Sequence, residues 1–414
     1  MKVLGLKQGT AVPEGRITLP ASKSISNRYS ILARASGGKL RIKGLSEAGD
    51  SSVLQKGIAA LDQGKACIDL ADAGTAMRFL TALASTIPGT RSLTGTQRMK
   101  ERPIGPLVEA LRELGADIRY EEKEGYPPIR IKGTPLKGGR IRVPSDKSSQ
   151  FFSALALIAP FTEESLEMKW EDVFVSRSYF ELTLAVLRDI GVSMHEMEDG
   201  VRILPTRLSE RTLWVEGDHS AAAFWYELLA IKGKGGVHLG GLDRESPQAD
   251  RWTPRFFECL GIQTYWDNNG CWIEAVPGAN APDPYEADMQ DHPDLVPALA
   301  VTLAAMGKRA LLTGVGTLRY KESDRIEALR TELARIGVDV RADGENLGID
   351  PSGMDLSSCP RFDTHEDHRI AMALAPLVVI LPELEVRDPD VVKKSYPTYW
   401  EDLQWILPGV LSAS

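Results

Sequence analysis

The chain repeats one short plan of strand, polar turn and helix, and this repeat constrains its fold more than any other feature. Residues 16–20, 140–144 and 212–216 are β-rich runs that end in Pro or Glu. Each run is followed by a polar turn in which a Ser stands beside a Lys or a His. Apolar stretches with helical spacing then follow, such as residues 151–159 and 221–231. The pattern predicts small units that each contribute strands and helices, as in α/β proteins.

A second repeat relates the two halves of the chain. The trio Leu-Thr-Gly begins at Leu93 and again at Leu312, 219 residues later. The pattern Arg-x-Lys-Glu begins at Arg98 and again at Arg319, 221 residues later. In both halves the repeat continues into a helix-like stretch that ends in Gly before a strand-like run. We therefore expect two similar halves, each assembled from several such units.

The composition is typical of a large globular protein. Of the 414 residues, 43% are hydrophobic and 26% are charged, which allows large buried cores and excludes a disordered chain. Because single cores stop growing at roughly 250 to 300 residues, the length predicts two or three domains. The formal charge of −8 argues against a general nucleic-acid or anionic-membrane surface, unless basic residues gather locally.

The cysteines and histidines indicate neither disulfides nor a metal site. Cys67, Cys259, Cys271 and Cys359 are widely separated and form no CxxC pair. The His-Glu-Asp-His run at residues 365–368 lacks the HExxH spacing of a zinc site. The N-terminal stretch lacks the apolar core of a signal peptide, and no apolar run of 18 or more residues could span a bilayer. We therefore expect a cytoplasmic protein in a reducing compartment.

Two predicted helix starts combine hydroxyl groups with cations or amides. Lys23, Ser24 and Arg28 fall in the first turns of one helix, and the Ser-Ser-Gln run at residues 148–150 begins another. Free backbone N–H groups and the positive end of the helix dipole suit an anion there. Each run alone is also typical of an ordinary N-cap. Their recurrence in corresponding units favours a phosphate or carboxylate site.

Further charged residues allow both a functional and a structural interpretation. Gly74 precedes Arg78 in a turn where the backbone could approach an anion closely, although its spacing matches neither a P-loop nor GxGxxG. The charged runs at residues 98–103 and 321–325 are also typical of solvated helix faces with local ion pairs. Asp294 stands at the opening of an apolar helix, where an acidic residue commonly interacts with the helix dipole.

Taken in order, these stretches resemble the EPSP synthase (3-phosphoshikimate 1-carboxyvinyltransferase) family of enolpyruvyl transferases. The resemblance covers nearly the whole chain, and its motifs are specific in combination. They are residues 22–28 (SKSISNR), 73–78 (AGTAMR), 98–105 (RMKERPIG), 148–150 (SSQ), 175–179 (VSRSY), Asp294, 321–325 (KESDR), 367–369 (DHR) and Lys394.

The resemblance implies an α/β fold of two similar lobes, each of three βαβαββ units around parallel helices, an inside-out α/β barrel. The first lobe would comprise residues 21–216 and hold the shikimate 3-phosphate site with part of the phosphoenolpyruvate site. Residues 1–20 and 217–414 would form the second lobe, with the catalytic Asp and Glu and further cations for phosphoenolpyruvate. The chain would cross between lobes near Pro20 and again near Glu216.

The two implied substrates are small molecules that carry two phosphates and two carboxylates, roughly six negative charges. Arginine forks bind both groups well. For shikimate 3-phosphate the resemblance implies contacts with Lys23, Ser24, Arg28, Ser148, Ser149, Gln150, Ser176, Tyr179, Asp294 and Lys321. For phosphoenolpyruvate it implies contacts with Lys23, Gly74, Arg78, Arg102, Gln150, Arg325, Arg369 and Lys394.

The family reaction transfers the enolpyruvyl (carboxyvinyl) group of phosphoenolpyruvate to the 5-hydroxyl of shikimate 3-phosphate, in the shikimate pathway of aromatic amino acid biosynthesis. It passes through a tetrahedral ketal and releases phosphate. We expect Asp294 to act as the base, and Glu322 and Lys23 to carry protons at the enol carbon and the leaving phosphate. Which of the three protonates the methylene is left open. We expect no cofactor, metal, nucleic acid or membrane partner, and a monomer.

Four positions depart from residues common in the family. They are Asp72, Phe79, His219 and Thr317. These departures leave substrate affinity and sensitivity to glyphosate, the family's inhibitor, open.

Two other functions share part of this residue pattern. The sister UDP-N-acetylglucosamine enolpyruvyl transferase typically carries a Cys on the loop corresponding to residues 94–106, where this chain has none. A non-catalytic anion-binding protein could keep the cations and lose the proton-transfer groups, but this chain retains Lys23, Asp294 and Glu322.

Overall fold

The computed structural model describes residues 2–144, 148–170, 174 and 176–412. Residues 145–147 of the second repeated turn, and Val175 of one family motif, lie outside the described residues. The chain forms two compact units. Unit 1 combines Met1–Ala21 with Glu216–Ser414, and unit 2 is Ser22–Val215.

The secondary structure alternates short strands and helices along the chain. The strands are β1 Val3–Lys7, β2 Glu14–Thr18, β3 Leu40–Lys43, β4 Cys67–Asp69, β5 Gly89–Thr94, β6 Asp117–Tyr120, β7 Ile129–Gly133, β8 Gly139–Arg142, β9 Leu166–Lys169, β10 Met194–Met197, β11 Gly200–Ile203, β12 Arg211–Trp214, β13 Gly236–Gly240, β14 Ile262–Asp267, β15 Gly270–Ala275, β16 Tyr285–Asp288, β17 Ala310–Thr313, β18 Asp339–Ala342, β19 Leu347–Asp350, β20 Arg361–Phe362 and β21 Glu383–Arg387. The α-helices are α1 Lys23–Ala35, α2 Gly49–Asp62, α3 Gly74–Thr86, α4 Gln97–Lys100, α5 Gly105–Glu113, α6 Ser149–Ile158, α7 Arg177–Asp189, α8 His219–Lys232, α9 Thr253–Glu258, α10 Val296–Ala305, α11 Arg325–Ala334, α12 His368–Leu374 and α13 Tyr399–Ile406. Short 3₁₀ helices span Ala159–Phe161, Ala249–Trp252, Gly316–Tyr320, Ala375–Val379 and Pro389–Lys394.

The described strands form six sheets, three in each unit, and four of these sheets share one topology. In each of the four, a parallel pair of strands is extended by an antiparallel hairpin. In unit 2, β4 is parallel to β5, which pairs with β7 of the β6–β7 hairpin, and β8 to β11 repeat this arrangement. In unit 1, β2 with β13 to β15 and β16 to β19 follow the same plan. The predicted α/β fold of similar halves built from repeated units is confirmed.

Helices fill the interior of each unit and sheets cover them. Every residue of α10 from Val296 to Ala304 is buried, as is nearly all of α6 and α8. A helix that is apolar on all sides must be buried on all sides. Strands such as β7 instead alternate buried and exposed residues, so one face of the sheet meets the helices and the other meets water. The predicted apolar helices at residues 151–159 and 221–231 are confirmed as α6 and α8.

The second sequence repeat corresponds to equivalent places in the two units. The Leu-Thr-Gly trios lie at the ends of β5 and β17, the parallel inner strands of two matching sheets. Gly115 and Gly337 follow α5 and α11 with φ of +101° and +80°. A left-handed residue after a helix lets the chain turn back into a strand, here β6 and β18. Both glycines therefore end helices as predicted.

A buried glutamate in unit 1 leads to a testable stability prediction. Glu227 of α8 is fully buried, and neither carboxylate oxygen has a hydrogen-bond partner among the described residues. Burial raises the pKa of Glu227 well above its ordinary value, so the native protein holds a proton that the unfolded chain releases. The free energy of unfolding should therefore fall by about 1.4 kcal/mol per pH unit above a pH of roughly 4.3, until the raised pKa is passed.

Urea unfolding of Glu227→Leu at pH 5 and pH 7 measures this contribution. The variant should be more stable than the wild type at pH 7, and its stability should depend less on pH. Glu258→Leu replaces an exposed glutamate of α9 and is the control. Equal pH dependence in the wild type and Glu227→Leu would contradict a protonated Glu227.

The remaining sequence expectations concern membranes, metals and thiols. Among the described residues, no helix combines the length and apolar character needed to cross a membrane. The same residues contain no group of three or more His, Cys, Asp or Glu side chains placed to hold a metal ion. The four cysteines are free thiols; Cys271 is buried, and Cys67 and Cys359 are exposed.

Candidate functional site

Four helices of unit 2 begin near one another without acidic residues. The first turns of α1, α3, α6 and α7 contain neither Asp nor Glu, although acids are favoured there by the helix dipole. Gln150 Nε2 donates to Thr75 Oγ1 over 3.3 Å, which joins the starts of α6 and α3. The Arg28 side chain joins α1 to α6 and α7. The N-terminal ends of these helices therefore gather in a region suited to anions.

Arg28 holds three of these helices together. Its Nε donates to Thr183 Oγ1 over 2.8 Å, and one terminal nitrogen donates to Ser153 Oγ and to the backbone oxygen of Tyr179. The other terminal nitrogen donates to the backbone oxygen of Ser24 over 2.8 Å. All four acceptors are neutral, and burial lowers the pKa of Arg28 to about 9. Most of its donor capacity is therefore used to join α1, α6 and α7.

Arg78 and Arg102 form a pair of cations at the start of α3. Arg78 is buried and donates to the backbone oxygens of Gly74 and Pro103 over 3.1 and 2.8 Å, while its Nε has no partner among the described residues. Burial and then the Arg102 charge lower the pKa of Arg78 well below its ordinary value. Arg102 donates to the backbone oxygen of Asp72 over 3.3 Å. Neither arginine forms an ion pair with a described carboxylate, so their charge is available to an anion.

Gly74 makes this close arrangement possible. A Cβ atom at residue 74 would lie 2.5 Å from the terminal nitrogens of Arg102. Any larger residue would displace the guanidinium from the first turn of α3. The neighbour of the Gly74 backbone is therefore the Arg102 cation, and the predicted approach of an anion to this turn stays a prediction.

Lys23 begins α1 and pairs with an acid that the sequence did not single out. Its Nζ lies 3.2 Å from Asp50 Oδ2, and each side chain is 15% exposed. Asp50 is in the first turn of α2. In the sequence such an acid is indistinguishable from an ordinary partner of the helix dipole. Only the packing of α1 against α2 shows that it faces a predicted proton-transfer residue.

The remaining predicted residues of unit 2 lie at the same helix starts. Ser148 caps α6, since its Oγ accepts from Gln150 N over 3.2 Å, so the ordinary N-cap interpretation holds for this residue. Ser149 follows it and is buried. Ser176 precedes α7 with a φ of +54° and makes no capping hydrogen bond. Tyr179 lies in the first turn of α7.

In unit 1 the predicted residues come together around Arg325. This arginine begins α11 and is 1% exposed. It donates over 2.8 Å to each of three carboxylates, those of Asp294, Glu322 and Asp367. Burial alone would lower the pKa of Arg325, but these three charges raise it well above its ordinary value. Arg325 therefore organises the acidic residues of the site as well as contributing positive charge.

Asp294 is held by three cations. Its Oδ1 accepts from Arg325 over 2.8 Å and lies 3.7 Å from Lys321 Nζ. Its Oδ2 accepts from Arg369 over 3.0 Å. Asp294 lies two residues before α10 begins, so it is not in the helical turn that the sequence indicated. The carboxylate is instead fixed by side chains from α11, α12 and the loop before α11.

Lys394 and Asp250 border this cluster. Lys394 Nζ donates to the backbone oxygen of Glu366 over 3.1 Å, next to Asp367. Asp250 is 2% exposed and accepts a hydrogen bond from Ser220 Oγ. Burial and then the Asp294 charge raise the pKa of Asp250. Nothing in the sequence distinguished Asp250, because neither its spacing nor its flanking residues form a motif.

The four positions that depart from the family have defined surroundings. The Phe79 ring centroid lies 5.5 Å from Arg28 Cζ, a cation–π contact. His219 Nε2 lies 3.0 Å from the backbone oxygen of Asp243, and burial lowers its pKa to about 4. Thr317 Oγ1 is buried with no hydrogen-bond partner among the described residues. The backbone oxygen of Asp72 receives Arg102, as described above.

The two clusters differ in chemistry. The unit 2 cluster offers cations, hydroxyls and helix starts, with Asp50 as its carboxylate beside Lys23. The unit 1 cluster combines cations with the carboxylates of Asp294, Glu322 and Asp367 in hydrogen-bonded contact. The first suits binding of phosphates and carboxylates, and the second adds groups able to move protons.

Solved structures with the same fold are enolpyruvyl transferases. The chain is similar to an EPSP synthase from Acinetobacter baumannii, with a TM-score of 0.80 and 21% identity over 100% of both chains. It is also similar to the enolpyruvyl transferase NikO from Streptomyces tendae, with a TM-score of 0.73 and 14% identity over 99% of this chain and 98% of that one. The fold is therefore that of the enolpyruvyl transferase class.

Sequence comparison then gives the family. Residues 39–403 match the family model described as EPSP synthase (3-phosphoshikimate 1-carboxyvinyltransferase). A 3-phosphoshikimate 1-carboxyvinyltransferase from Bacteroides fragilis is 40% identical over 94% of each chain. One from Haemophilus influenzae is 33% identical over 95% of this chain and 96% of its own. The chain belongs to the EPSP synthase family.

Proposed function

We propose that the protein transfers the carboxyvinyl group of phosphoenolpyruvate to the 5-hydroxyl of shikimate 3-phosphate and releases phosphate. Membership of the EPSP synthase family supports this activity and its place in the shikimate pathway of aromatic amino acid biosynthesis. The observation that carries the proposal is the contact of Asp294 with Arg325, Arg369 and Lys321, which joins a carboxylate base to anion-binding cations.

We assign shikimate 3-phosphate chiefly to the helix starts of unit 2. Lys23, Ser24, Arg28, the 148–150 run, Ser176 and Tyr179 supply donors for its phosphate, carboxylate and hydroxyls. Lys321 and Asp294 of unit 1 complete the set. Backbone N–H groups at helix starts, hydroxyl donors and cations together bind phosphate strongly.

Phosphoenolpyruvate is assigned to cations from both units. Arg78 and Arg102 at Gly74, with Lys23 and Gln150, are the contributions of unit 2. Arg325, Arg369 and Lys394 are the contributions of unit 1. Arg78 and Arg102 form no ion pair with a described carboxylate, and this supports the assignment, because a buried guanidinium is stabilised when an anion binds it.

The chemistry proceeds in two steps. In the addition, Asp294 takes the proton of the 5-hydroxyl, the oxygen bonds to the central carbon of phosphoenolpyruvate, and the methylene carbon gains a proton. In the elimination, the methyl group of the resulting ketal loses a proton, and the carbon–oxygen bond to phosphate breaks. Glu322 and Lys23 carry the protons at the methyl carbon and the departing phosphate. Positioned acids and bases typically supply a factor of about 10² to 10⁴ in rate.

A phosphate-release assay with two acceptors tests this proposal. Purified protein and phosphoenolpyruvate are supplied with either shikimate 3-phosphate or UDP-N-acetylglucosamine. Release with shikimate 3-phosphate alone is expected. Release with the nucleotide sugar alone would assign the sister activity, and binding of both substrates without release would indicate a non-catalytic protein.

We also propose that the active protein is a monomer, because one chain carries all the assigned residues. Analytical ultracentrifugation at assay concentration should give a single species near the chain mass of 45.3 kDa. A stable dimer under these conditions would contradict this.

A further inference from the structure

The turn before α12 has a backbone conformation that few residues adopt. His365 and Glu366 have φ of +51° and +57°, so two successive non-glycine residues lie in the left-handed region. Such conformations persist where surrounding contacts hold them, and they are found preferentially at functional sites. The contacts that hold this turn therefore bear on its functional role.

These contacts converge on Glu332 of α11. Its side chain is fully buried, and its carboxylate accepts three hydrogen bonds. The donors are His365 Nε2 over 2.8 Å, Asp363 N over 2.9 Å and Arg335 Nε over 2.7 Å. Two of the three donors belong to the segment that enters the turn. Glu332 is therefore its anchor.

The exit of the same turn reaches the functional cluster. The backbone oxygen of Glu366 accepts from Lys394 Nζ over 3.1 Å, and the next residue, Asp367, accepts from Arg325 Nε over 2.8 Å. Arg325 and Glu332 are seven residues apart on α11, so they lie on one face about two turns apart. Helix α11 thus binds the segment at both its entry and its exit.

We propose that Glu332 and His365 form a clamp that fixes the turn and thereby positions Lys394 and Asp367 for phosphoenolpyruvate. The proposal rests on the proposed function. Glu332 and His365 are positioning residues, since they act through the backbone of residues 365–367. They are not among the residues that the family motifs singled out for substrate.

The clamp should respond to pH. The charged groups around the imidazole are Glu332, Asp363 and Arg335, and Arg387 lies 3.7 Å from Asp363. The hydrogen bond that His365 donates to Glu332 raises the pKa of His365 above its ordinary value near 6.5. The protonated clamp is complete below that value, and it weakens as pH rises through the raised pKa.

The test separates KM from kcat. In His365→Ala, KM for phosphoenolpyruvate should rise about tenfold at pH 7, the loss expected for one charge-assisted hydrogen bond. KM for shikimate 3-phosphate and kcat should stay within about twofold. His365→Gln keeps a neutral donor, so it should recover most of the affinity. The KM of the wild type for phosphoenolpyruvate is expected to rise between pH 7 and pH 9, and this rise should be absent in His365→Gln.

Matched controls distinguish a failure of the proposed function from a failure of the clamp proposal. His195→Ala removes an exposed histidine from β10 of unit 2 and should behave as the wild type. An inactive wild type refutes the proposed function and is seen before any variant is assayed. If the wild type is active, two results for His365→Ala would overturn the clamp. One is an unchanged KM for phosphoenolpyruvate, and the other is an equal rise in the KM values for phosphoenolpyruvate and shikimate 3-phosphate. If His365→Ala does not fold, a His365→Gln pH profile identical to the wild type overturns it.

Discussion

Asp294→Asn should reduce kcat by a factor of about 10² to 10⁴ while leaving substrate binding nearly intact. The amide keeps the shape of the carboxylate but cannot accept the proton of the 5-hydroxyl. Arg325 still has Glu322 and Asp367 as partners, so the buried guanidinium is not left uncompensated. Removing one negative charge beside three cations should keep or tighten the binding of anionic substrates. Steady-state kinetics and direct titration of phosphoenolpyruvate measure the two effects separately.

The control for this variant is Asp291→Asn. Asp291 is exposed three residues earlier in the same loop and has no assigned role. It should turn over at the wild-type rate. An Asp294→Asn enzyme that also turns over normally would remove Asp294 from the proton-transfer step.

Arg102→Ala should lower kcat/KM for phosphoenolpyruvate by a factor of about 10² to 10³, the cost of removing one partner of a desolvated charge pair. Arg102 donates one hydrogen bond, to the backbone oxygen of Asp72, and pairs with no described carboxylate. Its loss should therefore change thermal stability little while removing a binding cation. Arg102→Lys should be intermediate, because an ammonium cannot form the two parallel bonds of a guanidinium.

Arg98→Ala provides the matched comparison. Arg98 lies four residues earlier, is 46% exposed and lies 3.7 Å from Glu101. Exposed pairs of this kind contribute little to stability. The wild-type KM for phosphoenolpyruvate should be retained in Arg98→Ala. A similar loss in both variants would show that general surface charge, and not the Arg78–Arg102 pair, attracts the substrate.

Much of the fold was predictable because it depends on local patterns. Two of the three repeated strands, β2 and β8, lie in matching sheets, as do the Leu-Thr-Gly trios, whereas the third repeated strand, β12, pairs with β3 in a two-stranded sheet. Gly115 and Gly337 end helices as expected. Strand order within each sheet was not predictable from these patterns. The β4, β5, β7, β6 order depends on pairings between residues far apart in sequence, which periodicity does not report.

The residues of the candidate site could be listed from the sequence. The hydrogen bonds and ion pairs between their side chains could not be predicted from it. The family motifs named Arg325 as a cation for phosphoenolpyruvate, whereas the structure gives it three carboxylate neighbours. Asp50 and Asp250 were not predicted as site residues, because an isolated acidic residue forms no recognisable sequence motif. Glu332 looks like one more helix-surface glutamate until its burial is known. Such roles arise from tertiary packing, in which distant segments share one carboxylate.

The net charge of −8 also shows the difference between a property of the sequence and the local surroundings that the fold creates. It argues against a general nucleic-acid or anionic-membrane surface, yet it is an average over very different surroundings. Many acids pair with arginines on the surface, as Glu327 does with Arg330. Arg28, Arg78 and Arg325 are instead buried at the two clusters. The proposed substrate binding depends on these few buried cations and not on the net charge.

The most direct test of the proposed reaction is mass spectrometry of the products formed in D₂O. Addition followed by elimination predicts phosphate and carboxyvinyl shikimate 3-phosphate in equal amounts. It also predicts deuterium in the product's methylene group, because the proton gained by that carbon comes from solvent-exchangeable acids and any of the three methyl hydrogens can leave. Phosphate released without the carboxyvinyl product, or product whose methylene contains no deuterium, would contradict the account.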